Sequence, residues 1–427
     1  MPNNTPKNNP TKKALKPPLL VAEISANHNQ NLSLALQTIQ SAKNAGADFV
    51  KIQTYTPDSL TIDSSAPYFR INSGTKWDGE TLYELYKKAY TPFEWHKELF
   101  THARALGVGI FSSPFCARGV ELLEGLDCPM YKIASFEITD IALISLVAST
   151  KKPIIISTGI ATHALILDAL EACYKAGNSD ITLLHCVSEY PASLESAHIL
   201  EMPKLAKYGT KYGLSDHTIG SGKSYKSSQN PSNNDNTNQK SNTDFDECAD
   251  LCAILATSLG ASIIEKHFII SRNLGGVDSH FSMEEAEFAA MAKRVRAVPV
   301  AMGENNALDF IDLLKSTKHF SGDFTQKPKN ATQNLAQNLS HDFKQDFAQD
   351  FAHDFAQDSK PKSPFARSLF VCENIKKGEK LSTKNIRSIR PSNGLLPKYL
   401  PQILGRKAVR NLKRGEPLKI GDFEGGL

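Results

Sequence analysis

The chain has few cysteines, little excess charge and no long apolar run, and each shortage excludes a class of protein. Seven cysteines in 427 residues, set mostly in apolar segments, fit reduced thiols rather than a disulfide framework. A formal net charge of +4 is too small to indicate a nucleic-acid or membrane partner. No segment approaches the roughly 18 consecutive apolar residues that cross a bilayer, and residues 1–18 lack the apolar region of a signal peptide. We therefore expect a cytoplasmic protein.

Short β-rich runs alternate with helical patterns from Leu19 to about Gly303. The runs are LLVAEI, DFVKIQT, GVGIFSS, MYKIAS, PIIIST, ITLLHCV, KYGLS and ASIIEKH. Between them lie amphipathic segments such as LSLALQTIQSAKNAGA and HALILDALEACYKAG, each with a glycine near its end. Eight strands alternating with helices predict an α/β fold, a closed (β/α)8 TIM barrel, rather than an open doubly wound sheet. The glycine fingerprint of an open dinucleotide fold is also missing from AEISANHNQN, which follows the first strand.

Two segments of low-complexity composition set the domain boundaries. Residues 221–246, rich in Ser, Asn and Lys, predict a disordered insertion rather than a lid. Residues 318–363 carry the repeat DFKQ-DFAQ-DFAH-DFAQ and predict a linker of marginal helicity rather than a partner-binding helix. We thus predict a disordered tail over residues 1–18, a barrel over 19–317, this linker, and a small domain over 364–427. A module of about 60 residues is marginal alone, so we expect it to lean on another surface; its phrases IKKGEKL and LKRGEPL look like two versions of one turn.

Two histidines close neighbouring strands of the predicted barrel. His217 ends the run KYGLSDH and His267 ends ASIIEKH. Polar residues at strand ends lie at one mouth of such a barrel, and imidazole is a common ligand of catalytic metals. A lone histidine there is more often a satisfied polar residue, so the order of the elements carries the prediction that the two share one divalent ion. Mn²⁺ is expected first because it accepts nitrogen and oxygen ligands, with Co²⁺ or Mg²⁺ as alternatives.

A ring of lysine and hydroxyl side chains at the same mouth predicts an anion site. Lys51 and Lys132 end apolar strands, where burial without an anionic partner is costly. Lysines supply charge and hydroxyls supply directed hydrogen bonds, which together suit a phosphate-like group. The hydroxyl residues are Ser135, Ser157, Ser188 and Ser215. The alternative is that each lysine pairs with a strand-end carboxylate such as Glu23 or Glu137, which are also candidates for proton transfer or for holding sugar hydroxyls.

These residues stand in motifs that closely resemble the sialic acid synthase family. The motifs AEISANH, KIQTYTPDSL, FSSPF, YKIASFE, STGIAT, GLSDHT and EKHF occur in the family's order, and the resemblance extends from Leu19 to Phe423 apart from the two low-complexity segments. Members of the family join phosphoenolpyruvate to an amino sugar on a TIM barrel followed by a SAF (antifreeze-like) domain. The resemblance implies a phosphoenolpyruvate-condensing transferase with a divalent metal, and a domain-swapped homodimer in which each SAF domain covers the partner's barrel.

The segment from Trp77 to His96, WDGETLYELYKKAYTPFEWH, resembles the pseudaminic branch of that family. This implies a diacetamido-trideoxy hexose of altrose configuration as the sugar substrate. Three alternatives stay open: a synthase of the sialic or legionaminic branch, a metal-dependent aldolase that uses pyruvate and releases no phosphate, and a non-catalytic sugar-binding or interaction protein that kept the barrel.

The resemblance also implies a role for each motif residue. The expected metal ligands are His217 and His267. The expected phosphoenolpyruvate-binding residues are Lys51, Lys132, Ser135, Ser157, Ser215 and Ser188, the last standing where the family carries Asn. The sugar-facing residues are Glu23, Gln53, Tyr190, Asp278 and, reaching over from the partner subunit, Arg390 in IRPSNG. The catalytic set is Glu23, Lys51, Glu137, His217 and His267, with Glu137 as candidate acid/base. One departure is Asn29, which stands where the family has Gly after Asn-His.

Overall fold

The computed structural model describes residues 15–72, 74, 77–219, 248–303, 363 and 365–427. Most of the predicted tail, the insertion at 221–246 and the linker at 318–363 apart from Ser363 lie outside these residues, so the three predictions stay predictions. Within the described ranges, no helix has the length and apolar content needed to span a membrane.

Eight parallel strands close a barrel in chain order, with the first strand paired to the last. They are β1 (Leu19–Glu23), β2 (Phe49–Thr54), β3 (Gly109–Pro114), β4 (Tyr131–Ile133), β5 (Ile154–Ser157), β6 (Ile181–Cys186), β7 (Lys211–Asp216) and β8 (Ile263–His267). Each strand coincides with one of the eight β-rich runs. The predicted TIM barrel is therefore confirmed.

Helices connect these strands on the outside of the barrel, except between β6 and β7, where two 3-10 helices, Ile199–Glu201 and Pro203–Tyr208, take their place. The α-helices are α1 (Leu32–Asn44), α2 (Pro57–Leu60), α3 (Leu82–Ala89), α4 (His96–Leu106), α5 (Ala117–Glu124), α6 (Ile141–Ser149), α7 (His163–Lys175), α8 (Leu251–Ser258) and α9 (Glu285–Met302). Side-chain oxygens accept hydrogen bonds from the backbone N–H three residues on at the starts of several helices, and the capping residues are Asn31, Thr81, Asp140 and Thr162. Apolar strand residues such as Val50, Ile156 and Ile264 are buried in one continuous core.

The two-residue period of a strand sends alternate side chains to opposite faces. In β8, Glu265 and His267 share the inner face with the lining of the barrel mouth. Lys266 lies on the other face, where its ammonium donates to Asp216 Oδ2 at 2.6 Å and to the Thr218 carbonyl at 2.6 Å. The strand register places Glu23 beside both Lys51 and His267. Charged groups from three neighbouring strands therefore meet at one end of the barrel.

The C-terminal domain is a small two-stranded module whose core is separate from that of the barrel. Its strands β9 (Ser368–Val371) and β10 (Ile386–Ile389) are antiparallel, and one helical turn follows, α10 (Leu400–Ile403). Ile375 and Leu412 exchange two backbone hydrogen bonds of 2.9 and 2.8 Å. Gly378 and Gly415 both adopt left-handed φ values, 83° and 91°. IKKGEKL and LKRGEPL are thus two versions of one turn, as predicted, and the structure adds that they pair with each other.

The small domain lies against the barrel of the same chain, along the segment that follows β2. Ile62 and Phe69 of this segment form an apolar cluster with Phe370 and Ile389 of the small domain. Peripheral polar contacts add to the junction, among them Lys398 Nζ to an Asp168 oxygen at 2.7 Å. The small domain was expected to pack on another surface, and in the structure this surface belongs to the barrel of the same chain.

Candidate active site

A cavity of about 810 Å³ opens at the carboxyl ends of the barrel strands, beneath the small domain. This volume suits two small substrates bound together. Twelve of the residues predicted from the sequence line it: Lys51, Gln53, Lys132, Ser135, Ser157, Ser188, Tyr190, Ser215, His217, His267, Asp278 and Arg390. The structure thus brings the predicted phosphate-like, metal and sugar sites into one space.

Two lysines and a shared carboxylate form the floor of this cavity. Lys132 Nζ lies 2.9 Å from Glu265 Oε2, and Lys51 Nζ lies 3.6 Å from Glu265 Oε1. Lys51 also forms a close ion pair with Glu23, and Ser215 donates to Glu265 Oε1 at 3.3 Å. Burial alone would raise the pKa of Glu265, but the two ammonium groups outweigh it and hold that pKa at about 2. The floor therefore stays charged at neutral pH.

Glu265 is a site residue to which the sequence analysis gave no role. The pairing of each lysine with a strand-end carboxylate holds for Lys51 and Glu23, but the partner of Lys132 is Glu265 and not Glu137. A signal for it was present in the sequence, because residues two apart in a strand share a face. If His267 points into the barrel mouth, Glu265 must point into it as well.

A serine cradle, made of Ser135, Ser157, Ser188 and the backbone of Gly159, forms one wall. Ser188 Oγ donates to Ser135 Oγ at 3.0 Å, which also accepts from the Ile160 N–H at 3.0 Å. The buried Ser157 Oγ has no hydrogen-bond partner among the described residues. A Cβ on Gly159 would lie 2.4 Å from Ser188 Oγ. The cradle is therefore closely packed and presents an unpaired donor, as a phosphate group requires.

The two predicted metal ligands face each other across the mouth, with ring centroids 5.3 Å apart. His217 Nδ1 donates to the Val187 carbonyl at 2.7 Å, which leaves the lone pair on its Nε2. His267 Nδ1 is buried without a hydrogen bond and lies 3.5 Å from Asp278 Oδ2. Burial lowers the pKa of both imidazoles. Both rings are therefore held neutral, the form that binds a metal.

These donors fit a partial coordination shell for a divalent ion. His267 Nδ1 is one of several buried polar atoms that have no hydrogen bond among the described residues, and burying such an atom is costly. Across the ranges that the structure describes, no three His, Cys, Asp or Glu side chains converge as a complete metal site. Tyr190 and Phe281 pack on the two imidazoles, with centroids 4.4 Å from His217 and 4.7 Å from His267. An ion on this pair would keep open positions, which suits catalysis more than structural support.

Arg390 of the small domain lies at the far side of the cavity. Its Nη2 and Nε donate to Glu137 Oε1 at 2.6 and 3.1 Å, and its Nη1 donates to the Tyr86 hydroxyl at 3.2 Å. Its Cζ lies 5.0 Å from the centroid of the Phe136 ring. Burial would lower the pKa of Arg390, but Glu137 and Tyr86 outweigh it and raise that pKa. The structure thus places Arg390 at the barrel mouth of its own chain; its expected contribution from a partner subunit stays a prediction.

Glu23 and Glu137 differ from the other predicted residues because they are fully buried and do not line the cavity. Glu23 lies behind Lys51, and its Oε1 accepts from the Ser25 N–H at 2.8 Å. Glu137 lies beneath Arg390. The structure therefore does not show the predicted direct contact of Glu23 with a sugar, nor an open acid/base at Glu137, because each carboxylate is covered by the cation that it binds.

The loop after β1 tolerates the replacement of the expected glycine. Asn29 adopts φ 48°, in the left-handed region that Asn enters more readily than other side chains. Its Nδ2 donates to the Leu274 carbonyl at 2.9 Å. The turn is therefore kept, and the asparagine adds a contact to the loop after β8 that a glycine could not make.

Comparison with known proteins shows the family to which the chain belongs. Residues 38–229 and 247–307 match the NeuB family, and residues 366–424 match the SAF domain. The chain belongs to the NeuB family. This NeuB-family chain is 45% identical to the pseudaminic acid synthase of Helicobacter pylori, over 97% of its own length and 100% of that protein. It is 37% identical to a pseudaminic acid synthase of Campylobacter jejuni, over 95% of the chain and 96% of that protein.

Other relatives of this NeuB-family chain are more distant. A N,N'-diacetyllegionaminic acid synthase of Campylobacter jejuni is 29% identical over 95% of the chain and 100% of that protein. Among solved structures, the spore coat polysaccharide biosynthesis protein SpsE of Bacillus subtilis has a TM-score of 0.65 at 24% identity, and the match covers 97% of this chain and 98% of that one. This structural likeness shows the shared fold.

Proposed function

We propose that the chain is a pseudaminic acid synthase. It condenses phosphoenolpyruvate with 2,4-diacetamido-2,4,6-trideoxy-β-L-altropyranose and water to give pseudaminic acid and phosphate. The observation that carries the proposal is the 45% identity to the Helicobacter pylori pseudaminic acid synthase over nearly the whole chain. The gathering of anion-binding, metal-binding and sugar-facing side chains in one cavity supports it.

Phosphoenolpyruvate binds on the floor and the serine cradle. Lys51 and Lys132 provide two ammonium groups against the dianionic phosphate and the carboxylate of this substrate. The unpaired Ser157 hydroxyl supplies a directed donor, and the Ser215 hydroxyl supplies a second one when it turns from Glu265 to the substrate. Because four strands of the barrel already fix these groups, little reorganisation is needed when the substrate binds.

The histidine pair would hold a divalent ion, with Mn²⁺ the first candidate. A bound ion supplies Lewis-acid polarisation of the open-chain aldehyde oxygen of the sugar. Neutral His217 and His267 provide the two nitrogen ligands, while Asp278, whose carboxylate lies 3.5 Å from His267 Nδ1, belongs with the sugar-facing residues. The rings of Tyr190 and Phe281 restrict the rotation of both imidazoles.

The reaction forms one carbon–carbon bond and one carbon–oxygen bond, the latter from water, and breaks one carbon–oxygen bond, while the aldehyde oxygen takes up a proton. C3 of phosphoenolpyruvate bonds to the aldehyde carbon, and water adds at C2. The resulting tetrahedral intermediate loses phosphate by C–O cleavage, so the bridging oxygen leaves with the phosphate. Glu23, in contact with the Lys51 ammonium, is better placed for proton transfer through that lysine than Glu137, whose Oε1 is covered by two guanidinium groups.

Assembly and location are part of the proposal. A domain-swapped homodimer would repeat the junction of barrel and small domain between two copies, and the segment at 318–363 is long enough to let the small domain reach a second barrel. The use of phosphoenolpyruvate and the seven cysteines, all free among the described residues, support a cytoplasmic location.

The experiment that tests the reaction uses phosphoenolpyruvate labelled with ¹⁸O at the bridging oxygen, together with the altrose-configured diacetamido sugar. The proposal predicts labelled phosphate and a nonulosonate product in equal amounts, both detected by mass spectrometry. Unlabelled phosphate would contradict C–O cleavage. In a parallel assay with pyruvate in place of phosphoenolpyruvate, formation of the nonulosonate product would identify the aldolase alternative.

A further inference from the structure

Tyr86 is a cavity residue to which the proposed chemistry assigns no role. It lies on α3, within the segment Trp77–His96 whose sequence resembles the pseudaminic branch. Its side chain lines the cavity and is buried, with only 7% of its surface exposed. The Tyr86 ring packs edge-on against Tyr55 at 6.1 Å, and Tyr55 packs on Phe115 at 5.2 Å. The position of the hydroxyl is therefore fixed by packing rather than by solvent.

Both the backbone and the side chain of Arg390 are hydrogen-bonded to the barrel. Its backbone N–H donates to the Leu60 carbonyl at 2.8 Å, and its own carbonyl accepts from Thr61 Oγ1 at 3.0 Å. Its Nε and Nη2 share the Glu137 Oε1 atom. The remaining terminal nitrogen, Nη1, hydrogen-bonds to Tyr86, which is its only side-chain partner within the described part of the chain.

Each partner therefore controls a different part of the guanidinium group. Glu137 binds one edge and provides the neutralising charge. The Tyr86 hydroxyl, which is uncharged, fixes the Nη1 corner, while the ring of Tyr86 lies 5.5 Å from Arg390 Cζ. A guanidinium group has five N–H donors in a rigid fork, and these contacts leave donors on Nη1 and Nη2 for a ligand. The direction of the free Nη1 donor depends on Tyr86.

We propose that Tyr86 is a positioning residue that aims the free Nη1 donor of Arg390 at the carbonyl oxygen of an N-acyl group on the sugar. It thereby sets the affinity of the site for an N-acylated sugar. The inference rests on the proposed function, since it assigns Arg390 to the sugar end of that reaction. Affinity for the N-acyl group would then depend on Tyr86 of the barrel as well as on Arg390 of the small domain.

The test compares Tyr86→Phe with Tyr83→Phe, a matched control that removes a hydroxyl from the same helix. Tyr83 is partly exposed and its hydroxyl lies 3.4 Å from an Asp58 oxygen, away from Arg390. With phosphoenolpyruvate saturating, Tyr86→Phe is expected to raise the KM for the diacetamido sugar about tenfold, the effect of losing a hydrogen bond to a charged group. The kcat should change less than about twofold, because uniform binding is lost. The KM for phosphoenolpyruvate and all constants of Tyr83→Phe should match the wild type.

A double-variant cycle shows whether Tyr86 acts through Arg390. In an Arg390→Ala background, Tyr86→Phe should cause no further loss in kcat/KM for the sugar. An additive loss, or an unchanged sugar KM in the single Tyr86→Phe variant, would overturn the proposal. Should the wild type turn over N-acetylmannosamine instead, the proposed sugar is wrong, and the same KM ratio on that N-acyl sugar still decides the role of Tyr86.

Discussion

Arg367 and Arg390 donate to the same atom, Oε1 of Glu137, with Nε distances of 3.2 and 3.1 Å. Arg367, at the start of the small domain, also donates to the Phe115 carbonyl of the barrel at 2.9 Å and to the Ser388 carbonyl of its own domain at 2.8 Å. One buried guanidinium group thus joins both domains to the carboxylate that orients Arg390. The end of the cavity that we propose for the sugar is therefore part of the domain junction.

Replacing Arg367 should therefore weaken the whole junction. Arg367→Gln leaves buried carbonyls unpaired and Glu137 with one cation, which costs roughly 2–4 kcal/mol of unfolding free energy. Urea unfolding followed by fluorescence measures it. The control is Lys398→Ala, which breaks a junction contact that is about one-third exposed and worth roughly 0.5 kcal/mol. Equal losses in the two variants would contradict the central place given to Arg367.

Glu265 should stabilise the protein in a pH-dependent way. Its pKa lies at about 2 in the folded protein, below the ordinary 4.5, so its ionised form is favoured by folding. The stabilisation is complete above the unfolded pKa and is lost as the pH falls toward about 2. The free energy of unfolding of Glu265→Gln is thus expected to be about 3 kcal/mol below that of the wild type at pH 7, and the difference should be smaller at pH 3.

The matched control for Glu265 is Glu171→Gln on α7. Glu171 forms an exposed ion pair with Lys175 at 2.9 Å, so its variant should unfold like the wild type at both pH values. If the stability difference between Glu265→Gln and the wild type were the same at pH 7 and pH 3, the negative charge of Glu265 beside the two lysines would not be its cause.

Removing either histidine of the pair should abolish turnover while leaving the fold intact. His217→Ala and His267→Ala each delete one of two imidazole ligands, and Mn²⁺ binding measured by calorimetry should be lost together with activity. His102→Ala on α4 is the control and should retain both. Full activity in either of the first two variants would refute the assignment of the metal to this pair.

The serine cradle should be sensitive to a single added methyl group. In Gly159→Ala the new Cβ would meet Ser188 Oγ at 2.4 Å and the Cys186 carbonyl at 2.8 Å. We expect the KM for phosphoenolpyruvate to rise at least about tenfold, because Ser188 and the Cys186 backbone must move to make room for the methyl group. Gly125→Ala, whose Cβ would meet only ordinary contacts from 3.5 Å, should behave as the wild type. A normal KM in Gly159→Ala would remove the cradle from the phosphoenolpyruvate site.

The barrel and the members of its cavity could be predicted because they depend on local periodicity. Each β-rich run ends in polar residues, and a parallel barrel brings all these ends to one mouth. Lys51, Ser157 and His267 follow from that rule alone. Glu265 follows from it too, through the two-residue period that it shares with His267, but the run ASIIEKH was interpreted for its histidine only.

The domain junction could not be derived from local patterns. Tyr86 and Arg390 are 304 residues apart and meet only because the segment after β2 docks on the small domain. The covering of Glu23 and Glu137 by cations has the same origin, since it depends on which side chains approach them from other strands or from the other domain. The family motif placed Arg390 near the sugar but contained nothing about the hydroxyl and the carboxylate that hold it.

The most direct test of the account is phosphate release from the purified protein with phosphoenolpyruvate and Mn²⁺. The altrose-configured diacetamido sugar is compared with N-acetylmannosamine, each with and without EDTA. The account predicts phosphate release with the altrose sugar alone and its loss in EDTA. Release with N-acetylmannosamine instead would place the protein in the sialic branch, and no release with either sugar would contradict the proposed synthase.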